Sequence, residues 1–322
     1  MDNYFSFVEN NTNLTEETAT FCKALSPRRT DILHKAITDA ENGKTKFLEI
    51  ARKQRADNFK IPQNLDVYTD YVLNSDEKIS LRIYKPKNKN PKFIILYLHG
   101  GGWVLGSADS CGRICSDLSL ELNSVVIAVE YRLSPEFKFP IPLEDCVLAV
   151  EWAIKTFPNK KLFISGDSAG GNLALATTIK LLKESKKISG LALFYPVATQ
   201  EECVEDASWQ NFGKGFALDS KLMTTFTQAY LRSPEDIINT YASPILHNNF
   251  SDFPPTIIIA SGKDILHDQC IRLAKKISQT NKFLRLVDIK MATHIYATMD
   301  GMDKSYKIGF TEVKNFFVKI GC

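Results

Sequence analysis

From residue 93 onward the chain alternates apolar strands with helices, which predicts an α/β fold: a mostly parallel sheet flanked by helices, with a helical cap. Three observations carry this. The strands are continuous apolar runs, such as Val125-Val126-Ile127-Ala128-Val129, as expected of parallel strands covered on both faces. A length of 322 residues suits one large α/β domain with additions, and 44% hydrophobic residues suit a substantial core. One stretch, 199–240, breaks the alternation with an apolar and aromatic stripe.

In chain order, residues 1–60 read as a helical, polar segment. Leu33, Ala36, Ile37 and Ala40 share one face there, and Gly43 stands where a helix would end. Residues 61–322 form the core. Val67 to Leu73 and Ile79 to Tyr84 alternate apolar and polar residues around Asn74-Ser75-Asp76-Glu77, the pattern of an antiparallel hairpin. Strands follow near 93–98, 124–130, 161–165, 188–195, 255–261 and 284–290. Helices fall near 113–122, 143–156, 168–184, 267–280 and 304–319. Within 199–240, Leu218, Leu222, Phe226, Ala229 and Tyr230 recur at helical spacing. Insertions into such sheets gather at the carboxyl ends of strands, where ligands bind. The expectation is therefore a cap insertion near 199–240, joined over the site by the N-terminal helices.

Composition narrows the function classes. Forty basic and 37 acidic residues give a net charge of +3, without blocks, so neither nucleic acid nor an anionic membrane is indicated as a partner. No apolar run approaches the roughly 20 residues of a membrane span. Met1-Asp2-Asn3-Tyr4 lacks the basic start and apolar stretch of a signal peptide, and the seven cysteines are scattered. Reduced thiols in a cytoplasmic protein are the expectation.

Two motifs carry chemistry. Gly166-Asp167-Ser168-Ala169-Gly170-Gly171 lies between the strand Lys161 to Ser165 and an apolar helix. In that strand–turn–helix context G-x-S-x-G forms a tight elbow that holds the serine hydroxyl at the carboxyl end of the sheet. His99-Gly100-Gly101-Gly102-Trp103 follows the strand Phe93 to Leu98. Consecutive glycines expose backbone N–H groups to an oxyanion, each donor stabilising an acyl-transfer transition state by roughly 3–4 kcal/mol. A phosphate loop is excluded, because Gly106-Ser107 lacks the Gly-Lys-Ser/Thr it needs.

A serine nucleophile needs a base. Of the five histidines, His34 lies in the N-terminal helix, His99 in the glycine loop, and His247 and His267 before the last strand. His294 follows that strand, at the carboxyl edge. Sites built on this elbow run serine, acid, histidine along the chain, which selects Asp264 after Thr256 to Ser261. Asp268 is its rival and reads better as a cap of the following helix; Asp300 and Asp303 come after the histidine.

These motifs together resemble the hormone-sensitive-lipase-like esterases of the α/β-hydrolase superfamily. The matching segments are His99 to Ser107, Tyr131 to Glu136 with Phe139-Pro140 and Leu143 to Cys146, Gly166 to Leu173, and Gly262 to Asp268. The resemblance runs from about residue 65 to the end and implies an α/β-hydrolase fold with the N-terminal helices as a variable cap. It implies Ser168 as nucleophile, His294 as base and Asp264 as its orienter, with Gly101, Gly102 and Ala169 as oxyanion donors. His99 and Gly100 would support that loop, and Glu136 and Asp145 would brace loops behind it. No metal or organic cofactor is implied. Relatives of this kind include homodimers, which no signal in this chain tests.

The chain departs from the family pattern twice. Ile295-Tyr296 follow the histidine where Gly and Phe are usual, and a β-branched residue does not easily take φ > 0, so the loop there is expected to differ. Cys111-Gly112 stand where a His-Asp pair is frequent. The expected activity is hydrolysis of small, short-chain acyl esters by a serine carboxylesterase, with a small-molecule ester as the partner. An amidase or lactonase would use the same machinery, and a non-catalytic receptor of this fold is the reading from another class.

Overall fold

The computed structural model describes residues 6–55, 59–74 and 77–321. A single nine-stranded sheet organises them. Its strands are β1 (Ser6–Asn10), β2 (Leu65–Asn74), β3 (Glu77–Pro86), β4 (Phe93–Leu98) and β5 (Ser124–Glu130). They continue with β6 (Lys161–Asp167), β7 (Gly190–Phe194), β8 (Thr256–Lys263) and β9 (Leu284–Thr293). The order across the sheet is β1-β9-β8-β7-β6-β4-β5-β3-β2. All neighbours from β5 to β1 pair in parallel, and β3 pairs antiparallel with both β2 and β5. The hairpin expected around 74–77 is present as β2 and β3, its turn lying outside the described residues.

Period-two alternation sorts the strand side chains into two cores. Ile94, Leu96 and Leu98 of β4 pack under α5 (Ile141–Thr156) and α6 (Ala169–Lys183), in a core that continues to α9 (His267–Ser278). Ile95 and Tyr97 turn the other way, onto α4 (Gly112–Glu121) and α10 (Asp303–Lys319). Each fully buried leucine or isoleucine contributes about 1.5–3 kcal/mol relative to exposure. With both faces covered, the central strands are apolar throughout, which is why their periodicity is invisible in sequence but their length is not.

The N-terminal segment holds α1 (Thr15–Ala24), α2 (Arg29–Glu41) and α3 (Lys46–Gln54). Leu33, Ala36, Ile37 and Ala40 are buried, α2 packing on α8 (Ser220–Tyr230) of the 199–240 stretch, which also contains α7 (Ala207–Phe212). The all-helical expectation for residues 1–60 is corrected by β1, which extends the main sheet beside β9. Of its five residues only Phe7 and Val8 are apolar, one on each face; Phe7 is 48% exposed, and Glu9 pairs with Lys290. An edge strand held by backbone bonds and one surface ion pair leaves no apolar pattern to read.

Arg52 fastens α3 to the core. Its guanidinium grips Glu136 through both carboxylate oxygens, at 2.8 and 2.7 Å, and donates to the carbonyls of Val104 and Ser134. Asp145 is fully buried and accepts from the Arg132 side chain and backbone. Both carboxylates thus brace loops.

Candidate active site

Ser168 sits between β6 and α6 with φ 54° and ψ −119°, outside the conformations an L-residue prefers. The elbow tolerates no bulk: a methyl at Gly170 would run into the Leu98 carbonyl. Strand β4 passes that close because it is the neighbour of β6, so the serine turn and the glycine loop after β4 share one edge.

His294 follows β9 directly, that strand running three residues beyond its expected end. His294 Nε2 lies 2.9 Å from Ser168 Oγ, and its Nδ1 lies 2.6 Å from Asp264 Oδ2. All three side chains are buried, Ser168 being 5% and His294 3% exposed. The other oxygen of Asp264 accepts the Leu266 N–H, fixing the carboxylate. Asp268 does not cap α9 as expected. It accepts instead from the Ser208 N–H and faces the His267 ring, because α7 packs over that helix start.

The loop after β4 is wound tightly, with Gly101 at φ 128° and Gly102 at φ 63°. Among the described residues, the N–H groups of Gly101, Gly102 and Ala169 donate to no protein acceptor, and both glycines line the pocket that Ser168 faces. His99 stacks on Tyr131 at 4.2 Å, its Nδ1 lying 3.0 Å from the Gly100 carbonyl. Burial pushes the His99 imidazole down to about 4, so it stays neutral as a brace.

Two features carried no sequence signal of their own, and a third overturned one. Asp167, inside the serine motif, accepts from Tyr97 Oη and the Gly100 N–H and so ties the elbow to the glycine loop. Burial pushes its carboxyl up, against those hydrogen bonds and the Arg55 charge. Arg29 and Arg55 reach the pocket from the N-terminal segment. Ile295 adopts φ 64° while buried, correcting the expectation that a β-branched residue would avoid it. Its side chain lines the pocket, and the strain of about 1–3 kcal/mol is borne by the surrounding core.

The roof is apolar, built from Leu218, Leu222, Met223 and Phe226. Phe226 lies against Gly102, where an added methyl would strike its ring. The cavity beneath this roof is about 30 Å³, room for a water or two.

Known proteins resemble this chain in sequence and in fold. The model of the α/β hydrolase fold family matches residues 95–298. An ethyl acetate hydrolase of Pseudomonas putida is 32% identical over 231 residues, covering 69% of this chain and 72% of that protein. An arylesterase of Saccharolobus solfataricus is 31% identical over 200 residues, covering 60% and 65%. The structure of a thermostable esterase from Pseudomonas putida ECU1011 superposes with a TM-score of 0.83 at 23% identity, over 95% of this chain and 98% of that one. The chain belongs to the α/β-hydrolase fold family, within its hormone-sensitive-lipase-like esterases.

Proposed function

We propose that this carboxylic ester hydrolase cleaves small, short-chain acyl esters, with Ser168 as nucleophile, His294 as general base and Asp264 as the residue that orients and stabilises the imidazole. The observation that carries the reading is the continuous contact from Asp264 through His294 to Ser168, at 2.6 and 2.9 Å. A serine hydroxyl becomes nucleophilic only when a base within such reach takes its proton.

Ser168 Oγ attacks the ester carbonyl as its proton passes to His294 Nε2. The carbonyl oxygen becomes an anion facing the free N–H groups of Gly101, Gly102 and Ala169. His294 returns the proton to the departing alcohol, leaving an acyl-enzyme that water cleaves by the same steps. His99 and Gly100 hold the donor loop in place, and Asp167 locks it to the elbow. The apolar roof of Leu218, Leu222, Met223 and Phe226, joined by Arg29 and Arg55 of the N-terminal segment, forms the cap, and the small cavity beneath it favours short acyl groups.

Hydrolysis of a p-nitrophenyl ester series by the purified protein and by Ser168→Ala tests this reading. Fastest turnover at acetate or butyrate, abolished in the variant, is the expected result. Faster hydrolysis of long-chain esters would overturn the size preference, and equal activity in both proteins would overturn the nucleophile.

A further inference from the structure

Arginines elsewhere in this chain, Arg52, Arg132 and Arg285 among them, sit against a carboxylate. The two that line the pocket of Ser168 do not. Among the described residues, neither Arg29 nor Arg55 forms an ion pair. Arg29 donates to the Ala217 carbonyl at 2.5 Å. Among the described residues, the Arg55 side chain has one long contact, 3.5 Å to Thr298 Oγ1, and its Nε, sealed from solvent, has no partner. A partly buried guanidinium without a counter-ion is costly, and two facing one small cavity repel each other. Burial and the Arg55 charge together bring Arg29 down to about 10, still cationic at neutral pH.

The carboxylates nearby are otherwise engaged. Asp219 accepts from Thr30 and from the Leu222 N–H at the start of α8, and Asp167 is committed to Tyr97 and Gly100. Arg29 also borders an outer cleft of about 580 Å³ that carries Lys214 and Lys221. Asp31 of that cleft is paired with Lys221. With Asp219 also on its lining, the cleft carries three cations against two carboxylates, and Arg29 belongs to both the cleft and the serine pocket, a modest excess of positive charge that favours anions.

We infer that the ester cleaved here carries a free carboxylate, which Arg55 and Arg29 hold while the ester carbonyl meets Ser168. The inference rests on the serine-esterase reading and adds its substrate class: a hemiester of a short dicarboxylic acid, or an acyl ester of a short hydroxy acid. The planar guanidinium fork matches a carboxylate through two parallel hydrogen bonds. The apolar roof then packs the few methylenes between the two carboxyl groups.

The test compares charged esters with neutral isosteres in a pH-stat. Hydrolysis of monoethyl glutarate by water yields glutarate and ethanol and releases one proton near neutral pH, so both partners of each pair are followed alike. Monoethyl glutarate against ethyl valerate places the charge on the acyl side; acetoxyacetate against propyl acetate places it on the alcohol side. On at least one arm the charged ester should have the higher kcat/KM, by on the order of tenfold to a hundredfold. Arg55→Gln and Arg29→Gln should drive that ratio toward one, and Arg55→Lys should restore part of it. Glutarate should also inhibit the wild-type enzyme competitively, a readout that needs no variant.

Preference for the neutral ester on both arms, with no inhibition by glutarate, would overturn the inference. So would glutamine variants that slow charged and neutral esters equally, since that is the signature of Arg55 acting only as a remote counter-charge to Asp167. Absence of turnover on every ester would instead contradict the esterase reading. Calorimetric binding of glutarate to the wild-type protein, lost in Arg55→Gln, would then uphold the arginine site, and no binding would overturn it.

Discussion

The two walls of the pocket differ in how their polar groups are satisfied. On the sheet side, Asp264 is fixed by the Leu266 N–H and holds His294, and Asp167 pins Gly100. Tyr131 backs His99 from behind, its hydroxyl donating to the His99 carbonyl at 2.7 Å. On the cap side the wall is apolar except for Arg29 and Arg55, which form no ion pair among the described residues. On the proposed mechanism, preorganisation explains the first wall: donors and base would stand ready before substrate arrives, so little reorganisation would accompany the reaction. The second wall is left incomplete in a way that a ligand of the right charge would complete. On this proposal, chemistry is built into strand ends, and selection into the helices that face them.

Breaking the sheet-side wall should have the largest effects. Ser168→Ala should lower kcat for a p-nitrophenyl ester by 10³-fold or more, and adding His294→Ala should lower it little further, because the groups act as a unit. Steady-state kinetics of the single and double variants check this. Gly101→Ala comes next: a methyl there meets the Leu105 carbonyl, and φ 128° is unsuited to alanine. Displacing one donor should cost about 10²–10³-fold in kcat, with a lower melting temperature in the same protein.

A pH titration sharpens the comparison further. His99 is buried neutral with a pKa near 4, below its ordinary 6.5, so protons favour the unfolded chain between those values. Its contribution to stability is complete above pH 6.5 and is lost as pH falls toward 4, by about 3 kcal/mol in all. Urea melts of wild type and His99→Gln should therefore converge as pH is lowered through that window. His267 works in the opposite sense. Burial disfavours its charge, but hydrogen bonds with Asp288 and Asp268 raise it, so its stabilisation is present at low pH and fades above 6.5. A constant gap between wild type and His99→Gln would contradict the bracing role.

The cap side should respond more gently. Phe226→Ala removes the ring over Gly102 and should shift the preferred acyl chain to longer lengths, each extra methylene gaining about fourfold in kcat/KM from apolar burial of about 0.8 kcal/mol. A p-nitrophenyl series on this variant checks the direction, and an unchanged optimum would place the acyl group elsewhere.

The same division governs what could be read from the chain. The elbow at Ser168 and the loop at His99 are contiguous motifs whose glycines answer to local contacts, as the Leu98 carbonyl beside Gly170 illustrates. The buried strands were legible from unbroken apolar runs. Strand β1 was not, since a five-residue edge strand with only Phe7 and Val8 apolar leaves no such run. Arg55 lies on a helix end whose approach to Ser168 depends on how α2 and α3 dock, a long-range matter that no local pattern records. Ile295 shows the converse: a local rule said such a residue avoids positive φ, and the surrounding core overrides it.

The most direct test of the account is to treat the protein with an organophosphate and weigh it intact, then map the adduct by peptide mass spectrometry. One phosphoryl group on Ser168, with loss of esterase activity in step and no labelling of Ser168→Ala, is the predicted result. An adduct on another residue, or ester turnover that survives full labelling of Ser168, would contradict it.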